Sequence, residues 1–333
     1  MNDGAFAVLP AARRDIVRQA LVAAFGKVPV DAITPLAGGA TSAMPCRVDI
    51  GGRRYLLRVE GVPSPLRNPH QYEAMRIAAA VGIAPPIHYI DEASRVAVID
   101  FVAPQPLAAF PGGPPALVQA LAALLRRLQA APAFPHFVDY PDIVARLFAH
   151  VRRTGLFAAG LLDPHVERLE RLSEIYAAGA THLVSSHNDL IPSNILFDGE
   201  RLWLIDWESA CRNDPLVDVS TLLDTLANSA ELQDALLQAW LGHKPGQAAL
   251  DRLAVVRALT RLYYAGVFLS ASAASNWTTG ETDLSAPGLD EFQLSVRDGR
   301  FVRGAPQTKH VLGKMFLAAF YSGVPAPGFD AAV

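Results

Sequence analysis

The stretch from residue 187 to 208 reads His187-Asn188-Asp189-Leu190-Ile191-Pro192-Ser193-Asn194, then Ile195-Leu196-Phe197, then the pair Asp198-Gly199, and finally Leu202 to Ile205 running into Asp206-Trp207-Glu208. Two short apolar runs, 194–197 and 201–205, flank that Asp-Gly pair and give the strongest two-residue hairpin signal in the chain. A hairpin here folds the chain back on itself, so Asp206 returns beside the loop that carries Asp189 and Asn194. Phosphoryl transfer to an alcohol needs one carboxylate to orient and deprotonate the hydroxyl. It also needs at least one carboxylate, with an amide oxygen, to hold Mg²⁺ on the phosphates. Asp189 suits the first role, and Asn194 with Asp206 the second. Each also has a plain structural use, as turn former, strand-edge cap or strand-end charge, but their joint placement on both sides of a hairpin favours the chemical reading.

With these residues in view, the segment resembles the signature of the aminoglycoside phosphotransferase and choline kinase superfamily. It is most similar to the bacterial choline/ethanolamine kinase-like members, which carry H-N-D-L and I-D-W-E or I-D-F-E. The likeness continues through Asn213-Asp214-Pro215 and Asp218, similar to the family's n-D-P-x-x-D segment, where the second Asp braces the backbone of the catalytic loop. It is dense over 187–218 and weaker over about 33–101. The resemblance implies an α+β, two-lobed protein-kinase-like fold, with a small N-terminal antiparallel sheet lobe carrying one internal helix and a larger, mainly helical C-terminal lobe. ATP would lie between the lobes, and His187 and Asp218 would be structural members of the site.

Working outward, the spacing predicts a helix over 10–25 ending at Gly26, three short strands over 33–36, 46–50 and 55–59, a helix over 68–81, and strands over 87–90 and 96–101. Between the first two strands, Leu36-Ala37-Gly38-Gly39-Ala40-Thr41-Ser42 resembles the family's glycine-containing loop, so Gly38, Gly39, Thr41 and Ser42 are candidate phosphate contacts. In the third strand, Tyr55-Leu56-Leu57-Arg58 parallels the V-A-I-K of protein kinases. Alternation places Leu56 and Arg58 on one face, with Leu56 over the adenine and Arg58 reaching the α- and β-phosphates. The only lysines are Lys27, Lys244, Lys309 and Lys314, so a cation at this point must be arginine, as in choline kinase-like proteins. Glu73 is the expected ion-pair partner of Arg58, with Glu60 the alternative. Residues 98–102 would supply the hinge that hydrogen-bonds adenine, with Asp100 and Val102 as nucleotide contacts.

Five prolines and two glycines over 103–115 mark a linker. They divide the chain into an N-terminal nucleotide-binding lobe, 1–102, and a C-terminal catalytic and acceptor-binding lobe, 103–333. Helices are expected over 117–130, 141–153, 164–178, 216–227, 231–241, 250–272 and 308–322. Glu208, and also Asp214, would add negative charge near the acceptor, and Trp207, Tyr263, Tyr264, Phe268 and Trp277 are either acceptor-pocket aromatics or core. Ser209 stands where choline kinases resemble one another in having tyrosine, which turns the reading away from choline itself. Residues 274–287 read as a lid over the acceptor or as a disordered connection.

Composition removes several classes. A net charge of −3 without a basic stripe argues against nucleic acid. The continuous apolar runs are short for a membrane span, and the N-terminus does not read as a secretory signal. Two distant cysteines, Cys46 and Cys211, form no disulfide framework. The expectation is a cytoplasmic kinase of a small, cationic molecule using ATP and Mg²⁺, of undetermined oligomeric state. Only residues 209–217 separate Glu208 from Asp218, too few for the activation segment of a protein kinase. The reading from another class is a nucleotide-binding pseudokinase or scaffold without turnover.

Overall fold

A computed structural model describes residues 3–36, 44–61, 68–179, 182–275 and 279–322. A 3₁₀ turn, Asp3–Val8, precedes α1 (Ala11–Phe25), which ends where Gly26 takes a φ of 77°. Five antiparallel strands follow: β1 (Ala32–Pro35), β2 (Met44–Ile50), β3 (Arg53–Val59), β4 (Ile87–Asp91) and β5 (Val96–Asp100), with α2 (Gln71–Ala80) between β3 and β4. The sheet order is β1-β2-β3-β5-β4. Internal β5 is apolar from Val96 to Ile99 because both its faces are covered there. Val96 and Val98 join Phe6, Val17, Leu21, Val48, Leu57 and Val59 in a core beneath α1. Ala97 and Ile99 join Tyr72, Met75 and Ala78 of α2 on the other side. In β3, Tyr55, Leu57 and Val59 are buried in the first core, which leaves Leu56 and Arg58 on the α2 side.

The remainder is mainly helical: α3 (Gly113–Gln129), α4 (Tyr140–Arg153), α5 (Asp163–Ala178), α6 (Leu216–Thr225), α7 (Ala230–Leu241), α8 (Gln247–Ala273), α9 (Leu289–Arg297) and α10 (Pro306–Ser322). Four three-residue strands interrupt it: β6 (Val184–Ser186), β7 (Ile195–Phe197), β8 (Leu202–Leu204) and β9 (Cys211–Asn213). The helix α3 opens inside the proline-rich stretch expected to be a linker. Pro114 and Pro115 stand in its first turn, where a missing N–H costs nothing. One hydrophobic cluster runs from Ile83 and Ile99 through Leu121, Leu125 and Phe197 to Leu204 and Trp207, so apolar packing is continuous past the expected division at 102.

A second cluster centres on α8, whose Leu259, Leu262, Ala265 and Leu269 pack with Phe148, Phe316 and Phe320 of α4 and α10. By length and composition alone α8 is apolar enough to cross a membrane, where the short runs in the sequence suggested no such segment. Over half of its most apolar stretch is buried within the protein. The approach of α8 to α10 is close: a Cβ on Gly313 would fall 2.6 Å from Leu269 Cγ. The part of the 274–287 segment that is described is held rather than loose. Glu281 bridges Phe157, and its carboxylate accepts from Lys314 Nζ at 2.6 Å and pairs with His310.

Candidate active site

Two short hairpin-like pairings bracket the site. In one, β7 pairs with β8 in the register Ile195↔Leu204. In the other, β6 pairs with β9 through Ser186↔Cys211, tying the strand that enters the His187 loop to the strand that leaves the Glu208 turn. The loop backbone is then fixed by Asp218, at the start of α6, which accepts from the N–H of His187 and of Asn188, both at 2.8 Å. Burial raises the Asp218 carboxyl to about 6, and those two N–H donors oppose the rise. Asn188 adopts a φ of 64°, its side-chain amide donates to Ser209 O at 2.9 Å, and its oxygen accepts from Asn213 Nδ2 at 2.7 Å. Burial holds His187 down at about 4. The neutral ring donates from Nε2 to Ile205 O at 2.9 Å and lies 4.7 Å from the Trp207 ring.

Held in this frame, Asp189 accepts from Tyr264 Oη at 3.0 Å through Oδ1 and from Asn194 Nδ2 at 2.9 Å through Oδ2. The same Asn194 nitrogen donates to Asp189 O at 2.9 Å, leaving the amide oxygen of Asn194 for another partner. Burial first, and then the charge of Asp206, push the Asp189 carboxyl up to about 7, against the two hydrogen bonds that favour its ionised form. A carboxylate tuned to neutrality is suited to general-base work at ordinary pH.

Asp206 stands in the left-handed region at φ 66°, ψ 67°, immediately before the 3₁₀ turn Trp207–Ser209. Aspartate tolerates this conformation better than most residues. The turn aims both acids of the Asp-Trp-Glu sequence at one group: Arg58 Nη2 donates at 3.1 Å to Asp206 Oδ1 and at 3.1 Å to Glu208 Oε1. Glu60 lies 3.9 Å from the same nitrogen. Burial alone would lower the Arg58 pKa, but the charges of Asp206, Glu208 and Glu60 outweigh it and raise it.

The profile of the phosphotransferase enzyme family matches residues 32–255, about two thirds of the chain. The protein belongs to this family. Its fold is similar to that of a choline/ethanolamine kinase family protein from Mesorhizobium loti (TM-score 0.62, 24% identity, 90% of this chain and 98% of that one) and of LicA in complex with AMP (TM-score 0.64, 13% identity, 92% and 98%). It is also similar to spectinomycin phosphotransferase in complex with ADP and spectinomycin (TM-score 0.53, 13% identity, 77% and 88%). Protein LicA of Haemophilus influenzae is 44% identical over 54 residues, which is 16% of this chain and 20% of that protein. The alignment thus spans about a fifth of the length of this curated relative. The protein-kinase-like architecture expected from the sequence is the one these phosphotransferases share.

Against the sequence expectations, the phosphotransferase site brings together Asp189, Asn194, Asp206, Glu208, Arg58, His187 and Asp218, while Glu73 lies apart. Glu73 is on the exposed face of α2. The face turned to the cleft carries Gln71, whose amide donates to Glu60 Oε2 at 2.7 Å. Asp214 is also displaced from its expected role: it is fully buried, ion-paired to Arg252 Nη2 at 2.7 Å and bound by the Leu216 N–H. Trp207 and Phe268 are core residues. Leu56 is half-buried on the Arg58 face of β3.

At the end of β5, the Asp100 N–H donates to Pro86 O and its carboxylate accepts from His88 Nε2 at 2.7 Å. The Phe101 N–H donates to Arg54 O. Asp100 is therefore engaged within the sheet, and among the described residues the N–H of Val102 has no partner. Gly38, Gly39, Thr41, Ser42 and Trp277 lie outside the described residues.

Sequence reasoning missed Asn68, whose side chain donates to Ala210 O at 2.5 Å and fastens the start of α2 to the Asp206–Ser209 turn. Among the described residues no three His, Cys, Asp or Glu side chains form an all-protein metal cage. Mg²⁺ does not need one, since it is commonly held by one or two carboxylates together with phosphate oxygens. Asp206 and the amide oxygen of Asn194 are hard oxygen donors of that kind.

Asp218→Asn replaces one acceptor oxygen by an amide that faces a backbone N–H. It should cost about 1–3 kcal/mol of stability, the penalty of an unmatched buried polar group, and should lower turnover at temperatures where the protein is still folded. Denaturant titration beside an activity assay reads both, and unchanged values would show that the loop does not depend on this carboxylate.

Proposed function

We propose that this phosphotransferase moves the γ-phosphoryl group of ATP, with Mg²⁺, to a hydroxyl of a small cationic molecule, an amino alcohol related to choline or ethanolamine or an aminoglycoside. The observation that carries the reading is Asp189: a half-buried carboxyl raised to about 7, fixed by Tyr264 and Asn194, in the same cleft as Asp206 and Arg58. Asp189 Oδ1 or Oδ2 would accept the proton of the acceptor hydroxyl as its oxygen attacks, with Tyr264 and Asn194 holding the carboxylate plane. Arg58 would leave its carboxylate partners in part to bind the α- and β-phosphates, and the N–H of Val102 is available to adenine. Bound Mg²⁺ would neutralise charge on the transferring phosphoryl group, with Asp206 and Asn194 to hold it.

A positive acceptor follows from the acidic character of the cleft. Asp206, Glu208 and Glu60 gather around Arg58, Asp189 feels the charge of Asp206, and the sequence has no basic residue from Leu202 to Cys211. An alcohol bearing an ammonium group would be drawn to these acids as a neutral sugar would not. Tyr263, half-buried with its hydroxyl 3.5 Å from Ser209 Oγ, offers an aromatic face nearby. The related choline kinases and spectinomycin phosphotransferase support the same class of acceptor.

Separating the two aspartates tests the role assignment. Asp189→Asn should bind Mg·ATP with near-normal affinity while kcat falls by about 10² to 10⁴. Asp206→Asn should weaken Mg²⁺-dependent nucleotide binding and nearly abolish turnover. Calorimetric titration with ATP, with and without Mg²⁺, distinguishes them, and equal loss of Mg·ATP affinity in both variants would defeat the assignment.

The raised Asp189 pKa carries a sign. The base works only when ionised, so kcat/KM for the acceptor should climb with pH up to a midpoint near the value of about 7 and level off above it. A profile that is flat between about pH 6 and 8 would contradict a base held at that raised pKa.

A further inference from the structure

On β3, side chains two residues apart share a face. The face that carries Leu56 and Arg58 continues one step past the end of the strand to Glu60. There the backbone is held at both ends: the Glu60 N–H donates to Arg95 O at 3.0 Å and its carbonyl accepts from Arg13 Nη2, of α1, at 3.1 Å. The side chain is 4% exposed. One carboxylate oxygen, Oε2, accepts from Gln71 of α2, and the other, Oε1, is turned to Arg58. Burying a carboxylate this deeply is costly unless its charge is matched, and the Arg58 guanidinium and the Gln71 amide contribute to that match. Glu60, Gln71 and Arg58 also share the wall of a small pocket with Met75, Ala97 and Trp207 behind the cleft.

Of the three carboxylates around Arg58, two are called on elsewhere if the proposed chemistry holds: Asp206 for the metal and Glu208 for the acceptor. Glu60 is assigned neither to the metal nor to the acceptor. We propose that Glu60, backed by Gln71, is the positioning residue for Arg58: it keeps the guanidinium aimed into the cleft once Asp206 and Glu208 turn to the substrates. The brace would then be carried by the strand, with α2 contributing an amide relay in place of a glutamate. The inference rests on the reading of Arg58 as the nucleotide-phosphate clamp.

Glu60→Gln keeps the shape and the contact with Gln71 but removes the charge. It should weaken the Kd for ADP and ATP, measured calorimetrically without acceptor, by about tenfold, the scale of one lost charge-assisted contact. KM for the acceptor should move less than about twofold. Glu60→Asp, with the charge kept, should lose less. Gln71→Leu should shift nucleotide affinity in the same direction, and the double variant should be no weaker than Glu60→Gln, because Gln71 acts through Glu60. If Glu60→Gln fails to fold, Gln71→Leu and Glu60→Asp still decide. Arg58→Ala is the control: unchanged nucleotide affinity there would remove the parent reading. Weakened affinity in Arg58→Ala beside normal affinity in folded Glu60→Gln, or in Gln71→Leu where that variant does not fold, would overturn this inference alone.

Discussion

One guanidinium shared among three carboxylates organises the cleft. Arg58 reaches across from β3 to Asp206 and Glu208 at 3.1 Å each, with Glu60 at 3.9 Å. Burial disfavours a charged arginine, yet the surrounding anions more than restore its preference for the charged form. Removing the cation would take a charged partner from three acids in a half-buried space, where a less well matched charge is more costly than in water. The N-terminal sheet and the Asp-Trp-Glu turn are thereby linked across the cleft.

That link would be of little use if the turn and the adjoining loop were soft. Their rigidity comes from the pairing of β6 with β9 and of β7 with β8, and from Asp218 accepting two consecutive backbone N–H groups. Both Asn188 and Asp206 sit at positive φ, a conformation that costs of order 1–3 kcal/mol and persists only where neighbours over-determine it. Asn188 meets that condition through its bonds to Ser209 and Asn213, and Asp206 through its ion pair with Arg58. Of the three described non-glycine residues at positive φ, Arg95 lies in the turn between β4 and β5, while Asn188 adjoins the candidate base and Asp206 is the candidate metal ligand.

The grouping of Asp189, Asn194 and Asp206 was legible in the sequence because it is local. The hairpin around Asp198-Gly199 fixes the return of Asp206 to Asp189 and Asn194 whatever the rest of the chain does. The three-residue strands β6 and β9 were not legible, being too short to show alternation, although they complete the clasp. At the ion pair, Glu73 in a helix was the conventional partner for Arg58, but the orientation of α2 is set by burial of Tyr72, Ala74, Met75 and Ala78, which turns Glu73 to solvent. Glu60 was signalled by extending the period-2 alternation of β3 one step. Asp214 sits in the motif expected near the acceptor, yet its carboxylate is claimed by Arg252, 38 residues away in sequence, a long-range pairing that no local pattern reveals. The proline-rich stretch was read as a linker because proline punctuates chains, whereas its last two prolines open α3.

Direct observation of the transferred phosphate tests the central claim, that the acidic cleft around Asp189, Asp206 and Glu208 selects a cationic alcohol for phosphorylation. The wild-type protein, given ATP and Mg²⁺, should be offered amino alcohols, aminoglycosides, and neutral sugars and polyols of similar size, with ADP release followed by a coupled assay and the phosphorylated product identified by mass. The account predicts turnover confined to acceptors carrying a positive charge. ADP release only with neutral or anionic alcohols, or phosphate transfer to none of them, would contradict it.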